Sequence, residues 1–296
     1  MKIIDGFNTD GQQTEPEMQV ADSGLVEQGL QITSITRMDG ARSTPAEDLL
    51  AVEEPLEIQL EYGPLEQRLL KPISITMRTP GHDEDLAAGF LFTEGVIGDP
   101  GDIEATARVG QNMLRIKLRP DTAVKTASLE RNFYITSSCG VCGKASLLAL
   151  QAVSPPRRAN RFRIKREVLC GLPEQLRRQQ LLFQRTGGLH AAGLFDSDGC
   201  IHLLREDVGR HNAVDKLIGG EWLADRVPLQ NQGLLLSGRA SFELLQKAVM
   251  AGIPMVTCVG APSSLAVTIA HQFDITLTGF LHEDSFNIYH GAARID

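Results

Sequence analysis

The sequence predicts an α/β fold carrying an additional, mostly β N-terminal segment, and three observations predict it. From Thr186 onward, short apolar strands alternate with helices of similar length, the pattern of a parallel sheet covered on both faces. Upstream, runs such as Leu56-Glu57-Ile58-Gln59-Leu60-Glu61 alternate apolar and polar residues, as a half-buried sheet does. The 296 residues, 42% hydrophobic and 22% charged, suit one large α/β domain or about two average ones. A chain of this length buries a core without help from disulfides or metals.

Residues 1–28 are rich in Asp, Glu, Gln, Gly and Thr without apolar periodicity, and read as a disordered leader. Residues 29–136 form the β-rich segment. Strands are predicted at Leu30–Ile35, Leu56–Glu61 and Ile73–Met77, with hairpin connections and a turn at Gly63-Pro64. Thr79-Pro80-Gly81-His82 then opens a helix whose first turn is acidic (Asp83, Glu84, Asp85), which suits the positive end of its dipole. Leu86, Phe90 and Leu91 mark its apolar face, Gly95 ends it, and His82 reads as a cap or surface residue. Strands near 105–109 and 113–118 follow, and Phe133–Thr136 delivers the next loop.

Residues 137–166 comprise a cysteine loop, a helix closed by Pro155-Pro156, and a basic run of Arg157, Arg158, Arg161, Arg163, Lys165 and Arg166. That run suits an acidic or phosphate-bearing partner, or serves as a solvated linker. Residues 167–296 form the C-terminal α/β segment. A helix over Leu172–Phe183 opens with Pro173-Glu174; a hairpin joins Leu189–Phe195 to Cys200–Leu204 through Asp196-Ser197-Asp198-Gly199. A helix over Asn212–Ile218 stops at Gly219-Gly220. Strands at 233–236, 255–259 and 275–281 then alternate with helices at 242–250 and 265–272.

The formal net charge of -8 argues against bulk nucleic-acid binding and leaves room for a local phosphate site. No apolar stretch approaches the roughly 18 residues of a membrane span, and Met1-Lys2-Ile3-Ile4-Asp5 runs into polar sequence without a cleavable signal. Five cysteines, an odd count, then point to free thiols in a reducing cytoplasm.

Chemistry concentrates in Ser137-Ser138-Cys139-Gly140-Val141-Cys142-Gly143-Lys144. The glycines leave each sulfur unshielded, and the helix formers from Lys144 to Leu150 place both thiols just before a helix N-terminus, which favours thiolate. Nucleophilic sulfur chemistry and metal binding both require that form; two buried structural thiols are the alternative, against which the bare flanks weigh. Zinc sites take about three or four protein ligands, whereas Cys170, Cys200 and Cys258 are isolated in the sequence and no second Cys-x-x-Cys occurs. A zinc deaminase would also need an upstream His-x-Glu or Cys-x-Glu, which is missing. No metal site is therefore expected.

Two strand-to-helix turns, Ser237-Gly238-Arg239-Ala240-Ser241 and Gly260-Ala261-Pro262-Ser263-Ser264, suit an anionic ligand. Glycine permits close backbone approach, hydroxyls donate, and Arg239 offers a forked cation. Neither matches a dinucleotide or P-loop glycine pattern; ordinary capped turns are the alternative. Both should lie beyond strand C-termini, where open α/β sheets bind ligands. Arg205-Glu206-Asp207-Val208-Gly209-Arg210-His211-Asn212 also follows a strand and is a second candidate contact. His190, after Gly187-Gly188, enters an apolar strand and reads equally as a core histidine.

Long segments together resemble one family. They are Glu53–Leu56, Met77–Gly81, Ala87–Gly95, the Ser-Ser-Cys-Gly-Val-Cys-Gly-Lys loop, Thr186–His190, Arg205–Lys216, Ser237–Glu243 and Ala261–Ser264. Over about Glu53 to Gly291 the chain resembles the formate dehydrogenase accessory sulfurtransferases, the FdhD family. The resemblance implies a cytidine-deaminase-like three-layer α/β/α core and a homodimer. It implies a cytoplasmic sulfurtransferase that accepts persulfide sulfur from a cysteine desulfurase, with Cys139 as carrier and Cys142 assisting. The sulfur then passes to the molybdenum bis(molybdopterin guanine dinucleotide) cofactor before insertion into formate dehydrogenase. The cofactor contact of the family falls on Phe280, Leu281, His282, Glu283, Asp284 and Ser285, where relatives often carry arginines and this chain has His282 and Ser285. Cofactor-binding residues expected from turns and resemblance together also include Ser237, Gly238, Arg239, Ser263, Ser264, Arg210, His211, Asn212 and His190. A cofactor-binding chaperone that handles no sulfur is the competing reading, and a zinc nucleoside deaminase a third.

Overall fold

The fold is that of a computed structural model, which describes residues 28–124, 150 and 162–296. The leader up to residue 27, the strand at Phe133–Thr136, the cysteine loop with Cys139 and Cys142, and Arg157, Arg158 and Arg161 lie outside the described residues.

Among the described residues, the N-terminal segment is β-rich and carries one α-helix. A two-stranded ribbon, β1 (Leu30–Asp39) and β2 (Arg42–Ala51), precedes a four-stranded sheet. That sheet comprises β3 (Glu54–Tyr62), β4 (Leu69–Arg78), β5 (Ile103–Gly110) and β6 (Met113–Leu118) in the order β4-β3-β6-β5. β3–β4 and β5–β6 are antiparallel, as hairpin connections demand, but β3 and β6 pair in parallel, because helix α1 (Asp83–Thr93) carries the chain across between the two hairpins. Strand alternation buries Leu56, Ile58 and Leu60 against α1 and its neighbours.

The C-terminal segment is a six-stranded sheet in the order β12-β11-β10-β9-β7-β8, from β7 (His190–Phe195), β8 (Ile201–Asp207), β9 (Gly233–Leu236), β10 (Met255–Cys258), β11 (Thr276–Gly279) and β12 (Asn287–His290). The sheet is mixed rather than parallel throughout. β9, β10 and β11 are parallel, while β7, β8 and β12 add antiparallel. A helix also links β8 to β9, but those strands are separated by β7; among the described residues, the helices that join strands adjacent in this sheet lie in the β9-to-β11 stretch, and a helical crossover is what parallel pairing requires. These are α5 (Phe242–Met250) and α6 (Ser264–Gln272).

Period-two alternation sorts the sheet into two cores. Ala192, Leu194, Leu234, Leu236, Val256 and Cys258 face α5, α6 and α4 (Arg210–Leu223); Ala191, Phe195, Leu235 and Met255 face α2 (Arg166–Gln179) through Leu169, Leu172 and Leu176. The result is an α/β/α sandwich. Its first core is continuous with that of the N-terminal sheet, so both segments close on one another.

Three local expectations are corrected. The helix predicted to stop at Gly219-Gly220 runs through both glycines to Leu223. Their role is proximity: a Cβ on Gly219 would overlap the Asp85 carbonyl, and one on Gly89 the Asp215 carbonyl, so α1 and α4 pack backbone to backbone. The helix predicted over Leu172–Phe183 is α2, with Pro173 in its interior, followed by α3 (Leu181–Thr186). The division at Gln180 is set by Glu206, which accepts the Leu182 and Phe183 amides at 2.9 Å each and caps α3 from a distant strand. The described end of the basic run is tied down rather than free: Ile164 pairs with Ile295, and Arg166 N donates to the Asp296 carbonyl at 2.9 Å.

Candidate functional site

The C-terminal ends of β9, β10 and β11 present three consecutive turns, held together by backbone. Gly260 N donates to the Gly238 carbonyl at 3.0 Å, and Phe280 N donates to the Gly260 carbonyl at 2.9 Å. Ser263 N reaches the Ala240 carbonyl at 2.9 Å, and Ala240 and Pro262 form a parallel bridge. The approach needs glycine: a Cβ on Gly260 would stand 3.0 Å from the Gly238 oxygen, and one on Gly279 would stand 2.8 Å from Pro262. These contacts fix the relative position of both predicted anion-suited turns and of the Phe280 segment.

His190, Arg210, His211 and Arg239 gather beside the first turn. His190 lies against bare Gly238, where a Cβ would sit 3.2 Å from its Nδ1. Burial, then the Arg210 and Arg239 cations, hold His190 below the usual histidine pKa. His211, at the start of α4, is pushed down to about 4, chiefly by burial and then by the Lys247 and Arg210 cations. Its Nε2 lies 3.4 Å from Ser241 Oγ and 3.9 Å from the Glu243 carboxylate. Arg210 Nε is buried without a hydrogen-bond partner among the described residues. The corner therefore combines two neutral imidazoles with two guanidinium groups, a set that donates to an anion without requiring protonation at neutral pH.

Phe280 closes the opposite side. It takes a left-handed conformation, φ 53°, and is 44% exposed. A bulky residue in that region is a strained choice that concentrates at ligand sites. Leu281 turns inward, donating its amide to the Cys258 carbonyl at 3.2 Å. His282, Glu283, Asp284 and Ser285 make an exposed turn closed by His282 N donating to the Ser285 carbonyl at 2.8 Å.

Other predicted residues serve the architecture. Asn212 donates to the Met77 carbonyl at 2.7 Å and to Asp207 at 3.1 Å, and accepts from Thr76 at 3.0 Å, so both its amide donors are used within the protein. Ser237 Oγ accepts the Ala191 amide at 2.8 Å, and Ser263 Oγ caps α6 by accepting the Ala266 amide at 3.2 Å, while Ser264 is exposed. Within 205–212 only Arg210 and His211 are left to face a ligand: Arg205 pairs with Asp85 at 3.2 Å, Glu206 caps α3, and Asp207 pairs with Lys216. His82 adopts φ 54° before α1 and lies 3.4 Å from Asp85. Cys258 is a buried thiol with its pKa pushed up to about 11 by burial, donating to the Gly260 carbonyl at 3.1 Å; it is no nucleophile at neutral pH.

Two buried ion clusters escaped the sequence reading. Lys216 pairs with Asp207 and donates to the Thr79 carbonyl, both at 2.7 Å. Lys247 pairs with Asp215 at 2.9 Å and Glu94 at 3.3 Å and donates to Thr93 at 3.0 Å. The available signal was the mid-helix Asp215-Lys216 pair inside an otherwise apolar stretch.

Residues 51–296 match the model of the FdhD/NarQ family. A "Sulfur carrier protein FdhD" of Streptomyces coelicolor is 50% identical over 268 residues, covering 87% of this chain and 92% of that one. One from Saccharolobus solfataricus is 40% identical over 261 residues, covering 88% and 96%. A crystal structure of a candidate formate dehydrogenase accessory protein from Desulfotalea psychrophila superposes with a TM-score of 0.70 at 21% identity, over 90% of this chain and 99% of that one.

Proposed function

The chain belongs to the FdhD/NarQ family, and from that premise we propose that it is a sulfur carrier for formate dehydrogenase that works through a persulfide. The thiolate of Cys139 attacks the terminal sulfur of a cysteine desulfurase persulfide. A new S–S bond forms on Cys139, the desulfurase S–S bond breaks, and the desulfurase thiolate departs. Attack of Cys142 thiolate on the Cys139 sulfur then makes a Cys139–Cys142 disulfide and releases the outer sulfur as hydrosulfide. The two thiols supply the two electrons this reduction needs.

The acceptor is the molybdenum bis(molybdopterin guanine dinucleotide) cofactor, held as cargo. The observation that carries this reading is the joining of Gly238, Gly260 and Phe280 by consecutive backbone hydrogen bonds beside His190, Arg210, His211 and Arg239. Turns at parallel strand ends seat phosphates, the guanidinium groups neutralise them, and exposed Phe280 offers a face for guanine. Exposed Ile75 and Met77 on edge strand β4, with Ile32 and Met38 on the ribbon, support a homodimer, which sedimentation would detect.

The test is intact mass after anaerobic incubation with a cysteine desulfurase and cysteine. The expected result is a gain of one sulfur atom that a reductant removes. An unchanged mass with an active desulfurase would contradict the proposal and favour a chaperone that handles no sulfur.

A further inference from the structure

The turn between β7 and β8 carries a second constellation, remote in chemistry from the cargo site. Asp196 directly follows β7, Cys200 directly precedes β8, and His202 is the second residue of β8. One ligand atom from each of Asp196, Cys200 and His202 lies within 4.8 Å of the others, and among the described residues no second set of three such donors comes this close. Cys200 is a free, exposed thiol, so an ion has access from solvent.

The hairpin fixes the three donors in advance. Asp196 N donates to the Cys200 carbonyl and Gly199 N to the Asp196 carbonyl, both at 3.1 Å, with Gly199 at φ 81°. Asp196 Oδ1 accepts the amides of Asp198 and Cys200 at 3.0 and 2.9 Å. That leaves Oδ2 for the ligand side, where it meets His202 Nε2 at 2.6 Å. The carboxylate is thus held by its own turn rather than swinging free, which is what separates a built site from a chance cluster.

We propose that Asp196, Cys200 and His202 bind a divalent zinc-class ion, with the fourth position open to solvent. A thiolate, an imidazole and a carboxylate form the mixed S, N, O set that suits zinc and excludes calcium and magnesium, which take oxygen ligands. Tetrahedral zinc with bonds of about 2.0–2.3 Å separates its ligand atoms by roughly 3.3–3.6 Å. To admit the ion, the Asp196–His202 pair opens from 2.6 Å, and all three ligand atoms already lie within 4.8 Å of one another. Binding breaks the hydrogen bond between Asp196 and His202, so that the neutral imidazole ligates through Nε2 with its one N–H on Nδ1, and releases the Cys200 thiol proton to solvent.

Cobalt(II) alone, added to the full chain carrying Cys139→Ser and Cys142→Ser, is the first probe. Thiolate-to-cobalt charge-transfer absorption at one equivalent is expected, lost on adding Cys200→Ser. His202→Ala, at an exposed position, should weaken binding about tenfold or more, the scale on which even residues that only orient a metal ligand act. In the wild-type chain, zinc should slow alkylation of Cys200, mapped by peptide mass spectrometry, and His202→Ala should remove that protection. Absorption that persists without Cys200, or alkylation at the same rate with and without zinc, overturns the proposal. Neither readout involves sulfur transfer.

Discussion

Lys216 Nζ stands 2.7 Å from Asp207 Oδ2, with the two side chains 2% and 0% exposed. Asp207 also accepts from Thr79 N at 3.2 Å, Gly209 N at 2.8 Å and Asn212 at 3.1 Å, so one carboxylate joins β4, β8 and α4. Removing the cation strands that carboxylate in the core. Lys216→Met should cost about 3–5 kcal/mol in urea unfolding. A loss below about 1 kcal/mol would mean that Asp207 is not held as a buried anion.

The glycines between α1 and α4 make a second stability prediction. Gly219→Ala places a methyl group against the Asp85 carbonyl, a backbone atom that cannot rotate away. It should destabilise by about 1–3 kcal/mol, although alanine is the better helix former by up to about 1 kcal/mol. Stabilisation would show that the two helices separate without cost.

His211 makes the pH dependence of stability predictable. Its folded pKa is depressed to about 4 from the ordinary 6.5, so the unfolded chain takes up the proton first. The contribution is fully present above about pH 6.5 and is lost as pH falls through 6.5 toward 4. His211→Asn should flatten that part of the stability profile. By NMR the His211 ring should stay neutral at pH 5.5, and GDP should raise its midpoint, since a phosphate favours imidazolium. An unmoved midpoint at saturating GDP would take His211 out of the site.

Much of this was legible in the sequence, for identifiable reasons. Leu56, Ile58 and Leu60 alternate, so β3 announced itself; Ser237-Gly238-Arg239 and Gly260–Ser264 sit between an apolar strand and a helix, so both turns did too. What stayed hidden is set across distance. Gly219-Gly220 carries a helix-stop signature, and only the presence of α1 turns it into a packing surface. Gln180 interrupts a helix because Glu206, from β8, caps the next one. Asn212 was expected at the ligand, yet three partners in β4 and β8 engage its amide. Composition at one position cannot distinguish a polar group facing a ligand from one held by a remote strand.

If the proposed cargo site holds a guanine nucleotide, Arg239 supplies charge to it and Phe280 a stacking face. Arg239→Ala should weaken GDP binding by about 1.5–3 kcal/mol through loss of a charge-assisted hydrogen bond. Phe280→Ala should cost about 1–3 kcal/mol through loss of base stacking, and less with inorganic pyrophosphate, which has no base. Calorimetry with both ligands separates the contributions. Equal losses for GDP and pyrophosphate in Phe280→Ala would mean that the ring shapes the turn and does not hold the base.

Peptide mapping under non-reducing conditions locates the carried sulfur, proposed to sit on Cys139. The chain is incubated anaerobically with a cysteine desulfurase and cysteine, digested, and searched for one added sulfur atom. That sulfur is expected on Cys139 in the wild-type protein and absent in Cys139→Ala, which should stay folded, bind GDP and fail to mature formate dehydrogenase. Cys142→Ala still accepts sulfur but passes it on more slowly. Sulfur found solely on Cys142, or full maturation by Cys139→Ala, would contradict that assignment.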